Sequence, residues 1–215
     1  VIMEYTDLFT KESCDAIQKF YDSYEPCQPL LRDYRRLKGK VGHVQNIFYG
    51  DSITSGWPLK EFFPNVSLLN RGIGGDNTSG LYLRMEEDVF PYTPKRVFML
   101  IGINGINAPN ERMLAQISTL ASMMQKRDID VFLSSVLPLR RPDKWDRFQY
   151  QDKIVELNGM LRQWADANGC GFMDYHSALK DETGQLAAEY AKPDGTHVTF
   201  AAYEVMAEIV KPYLI

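Results

Sequence analysis

From residue 44 onward, short runs of Val, Ile, Leu and Phe alternate with longer stretches whose apolar residues recur at helical spacing. That alternation leaves few folds open. Segments 44–49, 66–69, 97–101, 131–136 and 171–173 are short and apolar on both faces, as central strands of a parallel sheet are. Helices are expected near 77–89, 110–126 and 146–168, with a last one at about 199–213. Met113, Leu114, Ile117, Leu120, Ala121 and Met124 make one helical stripe, with Asn110 the expected N-cap. Ile154, Leu157, Leu161 and Trp164 make another, which Asn168-Gly169 should stop. Strands that alternate with helices need right-handed crossovers and a sheet covered on both faces. The expected class is therefore α/β: a three-layer αβα sandwich around a doubly wound, flavodoxin-like parallel sheet of about five strands. In such sheets ligands collect at the carboxyl edge.

At 215 residues, with no repeat, low-complexity tract or Gly/Ser linker, the chain reads as a single domain over 1–215. Residues 1–40 form a helical prefix packed on it. Within the prefix Ile17, Phe20, Tyr21 and Tyr24 share one side, and Pro26 and Pro29 should break the helix in two. A net charge of −4 and a pI near 5.5 argue against nucleic acid and anionic membrane surfaces. Cys14, Cys27 and Cys170 are odd in number and lack redox or metal spacing, so they read as buried or idle thiols. His43, His176 and His197 stand at no helical spacing from one another, which disfavours a zinc site. No apolar run is long enough to cross a bilayer, and the N-terminus lacks the basic and apolar regions of a secretory signal. The expected location is the cytoplasm, although a chain that starts at Val1 could have lost an upstream piece.

Chemistry-bearing residues fall where the edge rule wants them. Gly50-Asp51-Ser52-Ile53-Thr54 puts a hydroxyl just after the first strand, with Gly50 allowing a tight turn. Asn70-Arg71-Gly72-Ile73-Gly74-Gly75-Asp76 follows the second strand, and Gly102-Ile103-Asn104 the third. Asp194-Gly195-Thr196-His197 precedes the last helix. Ser52 suits a nucleophile, and His197 a proton acceptor, since an imidazole with a pKa of about 6.5 titrates near working pH. Asp194 would orient the ring, and the Asn104 amide could hold an oxyanion. Each motif has a plain alternative: Asp51 and Ser52 as turn and cap, Asp194-Gly195 as a turn, Asn104 bonded to its own loop. The Gly-rich loop after the second strand invites a nucleotide reading. It has Asn77 where Gly-x-Gly-x-x-Gly needs its third glycine, and it lacks a P-loop lysine.

Taken together, these stretches resemble the four sequence blocks of the SGNH hydrolases, also called GDSL-type lipases or esterases. They occur in family order between about residues 44 and 203. The resemblance implies Ser52 as nucleophile, Asp194 and His197 as its partners, and an oxyanion hole built from Ser52, Gly75 and Asn104. The second block looks most like that of the platelet-activating-factor acetylhydrolase-like esterases, which hints at small acyl groups. Gly105 stands where members commonly carry Asp, so the local loop should differ. The prefix lies outside the resemblance.

The expected activity is cleavage of short-chain acyl esters, above all acetyl esters, of a small molecule, carbohydrate or lipid through an acyl-serine intermediate, with no metal or organic cofactor. The expected partner is a small-molecule ester, with no nucleic acid and no transmembrane segment; a homodimer stays open. Two other classes stay open as well: a catalytically inactive binding member of the same fold, and a flavodoxin-like nucleotide or flavin binder. Trp57, Trp145, Arg140 and Arg141 lie in segments that could rim the site, without a motif to assign them.

Overall fold

A computed structural model describes the backbone of residues 5–141 and 148–215. The prefix gives a short α1 (Tyr5–Leu8), then α2 (Lys11–Ser23) and α3 (Cys27–Leu37). The chain continues as β1 (Asn46–Gly50), α4 (Ser52–Ser55), α5 (Leu59–Phe62), β2 (Leu68–Gly72), α6 (Thr78–Asp88), β3 (Arg96–Leu100) and α7 (Asn110–Gln125). It ends with β4 (Asp130–Ser134), α8 (Gln151–Ala167), β5 (Gly171–Met173), α9 (Tyr175–Leu179) and α10 (Phe200–Val210). All strand pairs are parallel, in the order β2-β1-β3-β4-β5. β1 is therefore flanked by β2 and β3, and the order reverses beside it. That reversal opens a crevice at the carboxyl ends Gly50, Gly72 and Leu100.

Side-chain alternation along the strands builds two cores. Ile47, Tyr49, Val97, Met99, Val131 and Leu133 face one side, against the apolar stripes of α6, α7 and α8. Phe48, Phe98 and Phe132, paired in register, face the other. Their rings stack at 4.9 Å in both steps. Each such pair adds about 0.5–1.5 kcal/mol beyond the area it buries. Trp57 and α10 cover that aromatic row.

Local details depart from the sequence reading where distant packing decides. The prefix breaks at Tyr24–Pro26, whereas Pro29 sits inside the first turn of α3, where no backbone N–H is needed. Pro109, not Asn110, precedes α7; the Asn110 amide instead crosses to Lys153 O and Glu156 on α8, at 3.1 and 2.6 Å. Asn168 does close α8, with Gly169 at φ +68°. Gly50 is the last residue of β1 rather than a turn. A Cβ there would lie 2.2 Å from Leu100 O, so close strand approach is what demands glycine.

Candidate active site

Asp51 caps α4, its carboxylate accepting from Ile53 N at 3.0 Å, which starts a helix at Ser52 directly off β1. The Asn70 side chain ties that turn to β2. Its amide donates to Thr54 O at 2.7 Å and Trp57 O at 3.1 Å, and its oxygen accepts from Gly72 N at 2.9 Å. Across the crevice the Asp194 carboxylate accepts from Thr196 N at 2.9 Å and His197 N at 2.8 Å, an Asx-type turn that closes the loop before α10. The same carboxylate lies 2.7 Å from His197 Nδ1, and His197 Nε2 lies 2.9 Å from Ser52 Oγ. Hydroxyl, imidazole and carboxylate thus form one continuous chain of hydrogen bonds, although Ser52 and His197 are 145 positions apart in sequence. Partial burial works to raise the Asp194 carboxyl. The two N–H donors and the imidazole outweigh it and hold the carboxyl below its usual range.

The loop after β2 is fixed from behind. Arg84 on α6 is buried and donates to Asp76 at 2.8 Å and to Asp88 at 2.7 Å. It also donates to Gly50 O at 3.1 Å and Arg71 O at 2.9 Å, so one guanidinium joins the ends of β1 and β2 to the loop. Burial pushes the Asp76 carboxyl up, against the pull of Arg84, Tyr21 and Asn77 N–H. Asn104, in a single 3₁₀ turn after β3, donates its side-chain amide to Asp76 O at 2.9 Å. Gly105 belongs to that turn and packs on Met113, whose sulfur would lie 3.0 Å from any Cβ at 105.

The prefix grips the same loop. Tyr21 donates to Asp76 at 2.6 Å, Cys27 Sγ to Gly74 O at 2.9 Å, and Tyr34 to Gly72 O at 3.1 Å. Cys27 is buried, as expected of it, and braces the loop as well. Gly75 has φ +79°, and a Cβ there would meet the tip of the Phe20 ring at 2.4 Å. A pocket of about 310 Å³ opens at this point, lined by Phe20, Tyr24, Ser52, Gly75, Asn104 and His197, among others. All five residues expected from sequence border it, Asp194 included. Phe20 and Tyr24 were missed, because their helical spacing reads equally well as a buried stripe. Beside Asp51 and Thr196 a second cavity, walled by Ile53, Leu100, Ile103, Val136 and Leu139, holds only about 10 Å³, no more than about one water's worth.

None of the described rim candidates lines the pocket beside Ser52. Trp57 is buried, stacked on Tyr203 at 5.5 Å, and does not line the pocket. Arg140 pairs with Asp181 at 3.2 Å, and with Arg141 it borders a separate groove on the far side of the 194–197 loop. Trp145 lies outside the described residues.

A doubly wound parallel sheet of this strand order, with a hydroxyl–imidazole–carboxylate chain at its carboxyl edge, is the architecture of the SGNH hydrolases. The chain belongs to the GDSL-like lipase/acylhydrolase family, whose model matches residues 48–205; this is a family of ester hydrolases. Among solved structures it is similar to a GDSL-like lipase from Bacteroides thetaiotaomicron. That match has 26% identity and a TM-score of 0.76, and covers 84% of this chain and 96% of the other. A Streptococcus pneumoniae protein, provisionally described as a platelet activating factor, is also 26% identical, with a TM-score of 0.80 and coverage of 93% and 98%. An acetylxylan esterase from Geobacillus stearothermophilus shares the fold at 18% identity and a TM-score of 0.64, over 80% of this chain and 95% of its own. No curated protein matches the sequence. Among the described residues no helix is long and apolar enough to cross a membrane.

Proposed function

We propose that this protein is a serine esterase that hydrolyses short-chain acyl esters, acetyl esters foremost, and that residues 1–215 work as one domain with the prefix included. The observation that carries the reading is the Ser52–His197–Asp194 chain, at 2.9 and 2.7 Å. His197 Nε2 takes the Ser52 proton as Oγ attacks the ester carbonyl. The tetrahedral oxyanion rests on the Ser52 and Gly75 N–H groups and the Asn104 amide. As the C–O bond breaks, the imidazolium returns its proton to the departing alcohol. A water deprotonated by His197 then attacks the acyl-serine, releasing the carboxylic acid and restoring Ser52. Asp194 keeps the ring in the tautomer that accepts at Nε2.

Preference for a short acyl group is supported by a sequence likeness. The Asn70–Asp76 loop beside Ser52 is similar to that of the platelet-activating-factor acetylhydrolase-like esterases, which take small acyl groups. The test is hydrolysis of p-nitrophenyl acetate, butyrate and octanoate by the purified protein and by Ser52→Ala. The acetate should turn over fastest and the variant should be inactive but folded. Retained activity would remove Ser52 from the nucleophile role. A wild-type protein that cleaves none of the three would instead be a binding member of the fold.

A further inference from the structure

The loop that carries Gly75 has two conformations open to it, and only one serves the steps above. Residues 73–76 make a tight turn, closed by Asp76 N donating to Ile73 O at 3.2 Å. Its third residue, Gly75, has φ +79°, the left-handed setting that marks a type II turn. Type I and type II turns differ by a half-rotation of their central peptide, here the one joining Gly74 to Gly75. With glycine on both sides, no Cβ opposes that rotation. The C=O and N–H of a trans peptide point in opposite directions. One orientation therefore turns Gly75 N–H towards the pocket, and the other puts the Gly74 carbonyl there. A carbonyl oxygen so placed would repel a developing oxyanion.

The prefix selects between the two. The Gly74 carbonyl points into the buried cluster of Ile17, Tyr21, Cys27 and Ile73, where Cys27 Sγ donates to it at 2.9 Å. Burial pushes the Cys27 thiol up to about 11, so it keeps the proton it donates at neutral pH. Gly75 N–H is turned the other way, at a residue that lines the pocket with Ser52. Among the described residues it donates to no protein acceptor. The next residue is held from both ends: Tyr21 donates to the Asp76 carboxylate at 2.6 Å, and Asn104 donates to Asp76 O at 2.9 Å. We propose that Cys27 and Tyr21 are positioning residues for the oxyanion hole. Cys27 keeps the 74–75 peptide in the orientation that presents its N–H, and Tyr21 fixes the residue that follows. The catalytic consequence rests on the esterase reading above; the orientation of the peptide does not. Removing the thiol strands the Gly74 carbonyl unsatisfied among apolar groups, which itself drives the rotation.

The experiment measures kcat and KM on p-nitrophenyl acetate, together with the ¹⁵N resonance and relaxation dispersion of the Gly75 amide, in wild type, Cys27→Val, Cys27→Ser and Tyr21→Phe. Cys27→Val fills the space of the sulfur and donates nothing. It should lower kcat about tenfold with KM steady, the pattern of an interaction made only in the transition state. The Gly75 resonance should shift or broaden by exchange in the same variant. Cys27→Ser keeps a donor and should restore most of both, and Tyr21→Phe should lower kcat by a smaller factor, about threefold. Cys27→Ala repeats the comparison if valine does not fold there. Unchanged kcat in Cys27→Val, or equal losses in the valine and serine variants with Gly75 undisturbed, would reduce the thiol to packing and overturn the inference. A wild-type protein that cleaves no ester ends the esterase reading, and Gly75 then decides alone. Exchange that appears with valine and disappears with serine upholds the hold on the peptide, and an undisturbed Gly75 in every variant removes it.

Discussion

The two halves of the pocket are held in opposite ways. The Asp194–His197 half is held mostly by short-range bonds, the two N–H groups on Asp194 and Lys192 N on His197 O, with Arg140 N on Gly195 O at 2.9 Å as its remote backbone tie, and both side chains are more than two-fifths exposed. The half after β2 is held by groups remote in sequence: Arg84 at 5% exposure, Asp76 at 0%, and Tyr21, Cys27 and Tyr34 from the prefix. The difference follows from the tasks proposed for each. A group that shuttles protons must be reached by water and by the departing alcohol. Donors that receive developing charge act best when they do not reorganise as the charge appears. An exposed ion pair adds little to stability, whereas a buried charge that loses its partner costs several kcal/mol. The contrast therefore predicts that the open half governs rate and the buried half governs both rate and fold.

Asp194→Asn strikes the open half hardest. Turnover should fall by about 10⁴-fold with the urea unfolding midpoint almost unmoved, because the wrong tautomer is favoured while the loop stays closed. A large loss of stability would show that the 194–197 loop supports the fold. Arg84→Met should do the converse, since it leaves Asp76 and Asp88 buried without their cation. A loss of about 3–5 kcal/mol in unfolding free energy is expected, read from urea titration. A fully stable Arg84→Met would break the comparison. Asn104→Ala should reduce kcat by about 10²–10³ and change KM little; a change in KM alone would make Asn104 a binding residue. The smallest effect is one of pH. His176 is buried, and burial, helped by Lys180, lowers its pKa below 6.5. A base held neutral in the folded state contributes stability above about pH 6.5 and loses it as pH falls through the folded value. His176→Gln should flatten the decline of urea midpoints between pH 7 and 5.

The sheet could be read from sequence because its strands are buried on both faces, so their apolar runs survive whatever packs on them. Every strand lies within two residues of its expected ends except at the carboxyl end of β2, where Asn70, Arg71 and Gly72 are not apolar yet continue the ladder. The Ser52, Asn104, Asp194 and His197 positions could be read because each residue type is tied to a chemical role and each sits after a strand or before a helix. Trp57 could not, since an indole fits a rim or a core equally well until its stacking partner Tyr203 is known. Phe20 and Tyr24 were hidden for a related reason. Ile17 and Tyr21 face inward while Phe20 and Tyr24 reach the pocket, so one helical stripe serves two surfaces. Arg84 showed only its i,i+4 spacing to Asp88, because its other partners come from the end of β1 and the stretch 71–76.

Residues 11–37 supply no strand, so no ladder register constrains them. They answer to the loop they brace and to α6, where Ser79 donates to Ser13 at 3.1 Å and Arg35 pairs with Glu87 at 3.2 Å. A change in this hairpin would therefore reach the Gly75 backbone through Tyr21, Cys27 and Tyr34 without touching Ser52, His197 or Asp194, so the brace can vary independently of the hydrogen-bond chain it stands beside.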